Sequence, residues 1–145
     1  MSRRLTERET EYLKVIFSLL SEKSVVGSLD VANALGVSCA TASETLKKLY
    51  EKGMIVREPW RGVSLSELGL REINRIIRNH RVFETYAHRF LSVSLDDACD
   101  CARRIELYIS DKIIDSMCRV LGHPERCPHN KYIPRGGSCC LIKSI

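Results

Sequence analysis

The sequence lacks any long hydrophobic run. Its longest stretch without a charged residue, Val31 to Ser43, is rich in Ser, Ala, Asn, Gly and Cys and is shorter than the roughly 18 apolar residues that a bilayer span needs. The basic residues near the N-terminus have no apolar segment behind them, so no secretory signal peptide is predicted. We therefore expect a cytoplasmic protein with no membrane partner.

Signatures of catalysis are also missing. Cys and His are present, but the sequence contains no nucleophile elbow, no phosphate-binding loop and no paired acid/base set. It also contains no internal repeat and no low-complexity tract. These absences indicate a protein that is not an enzyme.

The composition indicates a folded chain with metal or redox chemistry. The 145 residues, of which 44% are apolar and 28% charged, are enough for one ordinary domain or two small ones. Seven cysteines without a secretory signal favour metal or redox chemistry over a disulfide framework, because cytosolic thiols stay reduced. An odd count also excludes complete pairing within the chain.

Hydrophobic periodicity predicts three helices and a hairpin in the first half. The helices are predicted over Thr6–Leu20, from Ser28 to Gly36, and from Ser38 to about Lys52. The second and third are joined by a short turn that contains Gly, which is the helix-turn-helix layout. Two short strands between Ile55 and Ser64 are predicted to follow as a wing.

The second half is predicted to be helical and to end in an irregular tail. A long helix should run from Ser66 to Leu91 with an inward apolar stripe that reaches Phe90 and Leu91, a second should begin at Ser94, and a third should run from Ser110 to Gly122. We predict a mainly α fold with a small β-wing. Residues 1–72 would be a winged helix-turn-helix DNA-binding domain, and residues 73–145 a helical domain with a Cys-rich tail.

The placement of polar side chains, rather than net charge, predicts DNA binding. The two halves carry similar charge, but the third helix places small hydrogen-bonding side chains first and cations later on its outer face, as a recognition helix requires. The predicted contacts are Ser38, Ala40, Thr41, Ser43, Glu44, Lys47 and Lys48, with Arg57 and Arg61 of the wing reaching the DNA backbone. The alternative is a solvated face on a helical interaction domain.

Several stretches resemble the diphtheria-toxin-repressor and manganese-transport-regulator family. They are TEYLKVIFSL, DVANALGVSCATASETLKKLYEKGMI, LSELGLREINRIIRNHRVFETYAHRFL, ARRIELYISDKI and LGHPERCPHNKYIP. The resemblance covers about residues 6–134 and implies a homodimeric, metal-activated winged-helix repressor. It also implies that the helical half both dimerises and holds the regulatory metal. Larger members add a third, barrel-like domain, and we expect this chain to be the two-domain form.

The resemblance transfers the family's primary metal site only in part. It implies Glu11, Glu106 and His80 as ligands, with Glu84 one turn after His80. Arg103 and Leu107 stand at two further ligand positions, and Lys14 replaces an acidic ligand of the manganese-type members. A guanidinium or an ammonium cannot coordinate a cation and would repel one. We therefore expect the primary site to be absent or altered.

This sequence matches the family's secondary metal site better than its primary one. His80, Glu84 and Cys99 match positions where iron-type relatives hold His, Glu and His. Imidazole, carboxylate and thiolate together suit Fe(II), Zn(II) or Co(II). The alternative is a core histidine paired with Glu84 and a Cys99 that acts as a small buried hydrophobe.

The remaining thiols suggest another site. Cys118, Cys127, Cys139 and Cys140, with His123 and His129 nearby, fall on the last helix and the tail, which has little else to fold around. A thiolate site or an iron–sulfur cluster is one interpretation, and a simple turn at Cys127–His129 is the other.

These patterns together predict a metal-dependent transcriptional repressor of metal homeostasis that binds a palindromic operator as a homodimer. Fe(II) is the favoured effector, with Mn(II) and Zn(II) as the other candidates. The alternative keeps the fold and the DNA but makes the switch a cysteine-based redox or iron–sulfur sensor. A metal-storage or electron-carrier module would explain the cysteines but not the helix-turn-helix.

Overall fold

The first half of the chain forms a winged helix-turn-helix. The computed structural model describes residues 4–136 and 139–140, and these residues form six helices and one two-stranded antiparallel sheet. They divide into two units, residues 1–73 and 74–145. The predicted fold class, mainly α with a small β-wing, is confirmed; residues 141–145 of the predicted tail lie outside the described part. Within that part, no helix has the length and apolarity that crossing a membrane requires.

Polar caps set the bounds of the first three helices, α1 (Glu7–Leu19), α2 (Ser28–Leu35) and α3 (Cys39–Glu51). Thr6 and Glu9 form a reciprocal capping box at the start of α1. Gly36 adopts a left-handed φ of 66° and ends α2. The Ser38 hydroxyl accepts a hydrogen bond from the Thr41 N–H and caps α3. The cap of α2 is Gly27, one residue before the predicted Ser28.

The wing is the hairpin of β1 (Ile55–Glu58) and β2 (Gly62–Leu65), which pair antiparallel with Ile55 opposite Leu65. Val26 extends the sheet by exchanging two backbone hydrogen bonds of 2.8 Å with Val63. A Cβ at position 62 would lie 2.4 Å from the Val26 carbonyl oxygen, so only glycine permits this close approach. The strand that follows α3 is thereby fixed beside the helical core.

An ion pair joins α1 to the end of α3. Lys52 Nζ lies 2.6 Å from the largely buried Glu9 carboxylate and also donates to the Arg4 carbonyl. Burial would raise the pKa of Glu9, but the hydrogen bonds from Lys52 and the Thr6 backbone outweigh burial, so the pKa lies below its ordinary value of 4.5. The carboxylate is therefore charged near neutral pH and orients α3.

The second unit is built from the later part of α4 (Glu67–Phe90) with α5 (Leu95–Ile105) and α6 (Asp111–Val120). Ser94 and Ser110 cap α5 and α6, as predicted. One of its apolar clusters contains Val82, Ile114, Cys118, Leu121, Cys127, Ile133 and Cys139. Phe90 and Leu91, predicted to face inward, are 50% and 55% exposed: they lie at the end of α4, where Ser92 takes a left-handed φ of 56° and the chain leaves the helix.

Candidate metal centre and nucleic-acid interface

The outer face of α3 carries the predicted DNA contacts. Ser38, Ala40, Ser43, Glu44, Lys47 and Lys48 are exposed and Thr41 is half-buried, whereas Ala42, Thr45, Leu46 and Leu49 on the opposite face are buried. The structure therefore presents all the predicted α3 residues on one accessible surface. Their contact with DNA stays a prediction.

Hydrogen bonds pre-orient the first turn of that surface. The Ser38 and Thr41 hydroxyl oxygens lie 2.9 Å apart, and the Thr41 N–H donates to the same Ser38 oxygen. One turn further on, Lys48 Nζ lies 3.2 Å from the Glu44 carboxylate as an exposed i,i+4 pair. Of the two lysines in α3, Lys48 is therefore paired with Glu44, whereas Lys47 has no ion pair among the residues that the structure describes.

The wing adds cations and an exposed indole. The Arg57 guanidinium lies 4.8 Å from the ring centre of Tyr50, which links the first wing strand to the last turn of α3. Arg61 is exposed beside Trp60, which is fully exposed and has a left-handed φ of 63°. Trp60 was not among the predicted contacts. The Pro-Trp-Arg-Gly turn is the sequence signal that marks this exposed position.

Potential metal ligands of the second unit gather in clusters. Within the described residues, three groups have ligand atoms that all lie within 4.8 Å of one another: His80, Glu84 and Cys99; Glu84, Cys127 and His129; and Cys118, His123, Cys139 and Cys140. The first two share Glu84. The predicted secondary set of His80, Glu84 and Cys99 is thus brought together by α4 and α5.

His80 is held on both sides of its ring. Its Nε2 atom lies 3.1 Å from Glu84 Oε2 and 3.4 Å from Cys99 Sγ. Its Nδ1 atom lies 2.7 Å from Oε2 of Glu106, which is 4% exposed. A proton on Nδ1 donated to Glu106 leaves the Nε2 lone pair directed at Glu84 and Cys99, which is the usual outer support of a metal-binding imidazole.

The two oxygens of Glu84 face different partners. While Oε2 faces His80, Oε1 lies 2.9 Å from His129 Nδ1 of the tail. Burial would raise the pKa of Glu84, but hydrogen bonds from His129 and Cys127 and the charge of His80 lower it below its ordinary value of 4.5. This carboxylate, 2% exposed, can therefore join two adjacent sets of ligands.

The residues expected at the primary site are placed differently. Glu106 lies behind the His80 ring, and Arg103 Nη2 lies 3.7 Å from Cys99 Sγ. Glu11 and Lys14 lie on α1 of the first unit, where Glu11 is exposed and Lys14 half-buried; Leu107 is half-buried after α5. Glu11 and Glu106 as direct ligands stay predictions.

The predicted thiolate group divides into two. Cys118, Cys139 and Cys140 lie together with His123, whereas Cys127 and His129 lie with Glu84. His123, which the sequence names only as lying near these cysteines, is the imidazole that joins three of them. The signal that could have included it is Gly122, which ends α6 and turns the chain back.

Comparisons with known proteins agree with this architecture. The model of the iron dependent repressor N-terminal DNA binding domain matches residues 4–63. The model of the iron dependent repressor metal binding and dimerisation domain matches residues 66–135. The first match ends within β2, and the second begins one residue before α4.

Individual relatives are transcriptional regulators or share the fold. The transcriptional regulator MntR of Escherichia coli O157:H7 is 31% identical over 73% of this chain and 68% of its own. A hypothetical protein from Sulfolobus solfataricus matches with a TM-score of 0.79 and 29% identity, over 90% of this chain and 100% of its own. The manganese regulator SloR matches with a TM-score of 0.74 and 27% identity, over 94% of this chain and 62% of its own. The family resemblance is confirmed: the chain belongs to the iron-dependent repressor family of metal-dependent, DNA-binding transcriptional regulators, which includes MntR and has no enzymatic role.

Proposed function

We propose that the chain is a homodimeric repressor of metal homeostasis genes whose operator binding is controlled by a divalent transition metal held by His80, Glu84 and Cys99. The observation that carries this proposal is the convergence of His80 Nε2, Glu84 Oε2 and Cys99 Sγ while Glu106 holds Nδ1. A merely structural histidine would satisfy both ring nitrogens without a thiol beside one of them.

The donor set fits a metal in charge as well as in type. Glu84 contributes one anion, the Cys99 thiol can contribute a second, and a divalent cation would neutralise both in a largely buried place. Cys127 and His129 on the tail place two further potential metal ligands beside the other Glu84 oxygen. Binding at Glu84 would therefore fasten the tail to α4.

Thiolate, imidazole and carboxylate favour Fe(II), Co(II) or Zn(II) over Mn(II), which prefers oxygen-rich sites. We therefore propose Fe(II) as the effector, although SloR is named a manganese regulator. Two of this chain's ligands in the joined clusters are cysteines, Cys99 and Cys127. No feature of these mixed clusters favours the iron–sulfur alternative.

Control of DNA binding requires that the metal bind one state of the dimer more tightly than another. The dimer surface proposed here includes Phe90, Leu91 and Val93 at the end of α4, which are exposed by 37% to 55%. Large apolar side chains clustered at one helix end are typical of a subunit contact. This end of α4 is joined through the short 92–94 segment to α5, which carries Cys99.

The test is operator titration under anaerobic conditions with Fe(II), Co(II) or Mn(II), using a duplex selected from random sequences by the wild-type protein. Fe(II) and Co(II) should raise operator affinity by at least about tenfold, in the range typical of allosteric coupling, and Mn(II) should raise it less. Cys99→Ser should lose most of this response. Cys99→Asp, which replaces sulfur with oxygen, should shift the response toward Mn(II).

Cys101→Ser is the matched control, because Cys101 is an exposed thiol two residues away on α5. It should respond to metals as the wild type does. A Cys99→Ser protein with an unchanged Fe(II) response would show that these ligands do not form the regulatory site.

A further inference from the structure

The end of α6 brings a thiol and an imidazole together. The His123 N–H donates to the Cys118 carbonyl at 2.9 Å and the Gly122 N–H donates to the Arg119 carbonyl at 3.0 Å, which is the Schellman arrangement of a helix end. Gly122 and His123 both have left-handed φ, 74° and 55°. A non-glycine residue in this conformation is uncommon, and here it aims the His123 ring back at Cys118.

Two further thiols of the tail complete the group. His123 Nδ1 lies 3.5 Å from Cys118 Sγ and 3.7 Å from the sulfurs of both Cys139 and Cys140. Cys118 Sγ and Cys140 Sγ are 3.9 Å apart. A tetrahedral ion with Zn–S bonds of about 2.3 Å and Zn–N bonds of about 2.0–2.1 Å requires about 3.8 Å between sulfurs and about 3.6 Å between sulfur and nitrogen. These four distances match a closed tetrahedral site, and the Cys139 sulfur lies within 4.8 Å of the other two sulfurs.

The surroundings supply charge balance. Three thiolates around a divalent cation leave one net negative charge. The Arg78 guanidinium is 6% exposed and lies 3.0 Å from the Asp115 carboxylate, and its buried Nε atom has no hydrogen-bond partner among the described residues. Gly136 packs on Arg78, since a Cβ there would lie 2.6 Å from the guanidinium. Such a buried cation is expected beside a cluster that carries negative charge.

We infer that Cys118, His123, Cys139 and Cys140 form a structural Zn(II) site that anchors the tail to the end of α6. The four ligands leave no open position, as in structural rather than catalytic zinc sites. The three thiols give up their protons when the ion binds. The segment between its ligands includes Cys127 and His129, so the site also holds these residues near Glu84.

Neither core packing nor a disulfide accounts for this arrangement of thiols. Cys118 and Cys139 belong to an apolar cluster, but core thiols have no reason to surround one imidazole nitrogen. A disulfide needs sulfurs about 2.05 Å apart, and these cysteines are free with the Cys118 and Cys140 sulfurs at 3.9 Å.

The test is the metal content of protein purified under reducing, anaerobic conditions, carried out in a Cys99→Ser/Glu84→Gln background so that the proposed regulatory site does not contribute. We expect one zinc per chain that survives dialysis. Co(II) in its place should give the intense visible d–d bands of a tetrahedral thiolate site. His123→Asn should lose this ion while tolerating the left-handed backbone, and hydrogen exchange of residues 124–136 should become faster.

His123→Cys, which keeps four tetrahedral ligands, should retain the ion, and so should Cys101→Ser. Cys118→Ser is a second loss variant, in case one substitution alone prevents folding. Retention of the zinc in both His123→Asn and Cys118→Ser, or a disulfide among the three thiols of the reduced preparation, would overturn the inference. Failure of the metal-dependent operator titration would not, because zinc content is measured independently of DNA.

Discussion

Glu84 shows how much a single side chain can organise. Its position one helical turn after His80 made that partnership predictable from the sequence. Its second partnership was not predictable, because His129 lies 45 residues away and reaches Glu84 only through the path of an aperiodic tail. Periodicity gives neighbours on one element, whereas contacts between a helix and an irregular segment depend on backbone conformation that no pattern encodes.

Glu106 illustrates the same limit in a different way. The family resemblance marks it as a ligand, but the structure places its carboxylate 2.7 Å from the ring nitrogen of His80 that faces away from Glu84 and Cys99. Residue identity alone cannot separate a direct ligand from the group that orients one. The two roles have different consequences for metal binding.

We expect Glu106→Gln to weaken metal binding by about 10- to 100-fold, the usual effect of removing the outer partner of a metal-binding histidine. At saturating Co(II), operator affinity should return to the wild-type value, because His80, Glu84 and Cys99 are still present. Isothermal titration with Co(II) measures the first quantity and operator titration the second. Glu125→Gln, an exposed tail carboxylate, is the control. A variant that no metal concentration restores would instead identify Glu106 as a direct ligand.

At the level of helices and strands, most bounds were predictable because the chain marks them chemically. Ser38, Ser94 and Ser110 each cap a helix, and Gly36 and Gly53 each adopt the left-handed φ that follows one. The tail carries no such periodic signal. Within the described residues, the tail has one isolated antiparallel β-bridge, between Arg126 and Tyr132. This pairing depends on the turn between the two residues.

The outer face of α3 permits a prediction that separates affinity from sequence preference. Lys47→Ala should weaken binding to all DNA sequences alike and lower the dependence of log affinity on log salt by about one unit, since one phosphate contact is lost. Thr41→Ala should change the preferred sequence, because its hydroxyl is oriented by Ser38 at the start of the helix that we predict enters the major groove. Anisotropy titrations at several salt concentrations measure both effects.

Lys112→Ala provides the matched control for charge, because Lys112 is an exposed lysine on α6. It should alter neither the salt dependence nor the preferred sequence. If Lys47→Ala behaves like Lys112→Ala, the assignment of α3 as the recognition helix is wrong.

For the whole molecule, family membership is better supported than the identity of the effector. DNA-binding and metal-binding family models match most of the chain, and the helix-turn-helix was visible in apolar spacing alone. The ligand chemistry differs from the primary site that the resemblance implies, because Arg103 and Leu107 cannot bind a cation. The sensing site was therefore predictable only as a set of candidates, and the structure shows which candidates converge.

The homodimer proposal makes a geometric prediction about the operator. Two recognition helices related by a two-fold axis must enter the major groove on one side of the duplex, so the half-sites should be centred about one DNA turn, or 10–10.5 base pairs, apart. Inserting about 5 base pairs between them rotates one half-site to the opposite side. In the presence of Fe(II), affinity for this duplex should fall to that for random DNA. The control duplex keeps the original spacing but carries about 5 substituted base pairs at its uncontacted centre, and it should bind as the unaltered operator does. The homodimer proposal would be contradicted if both altered duplexes bound equally well and sedimentation showed one chain per half-site and no dimer.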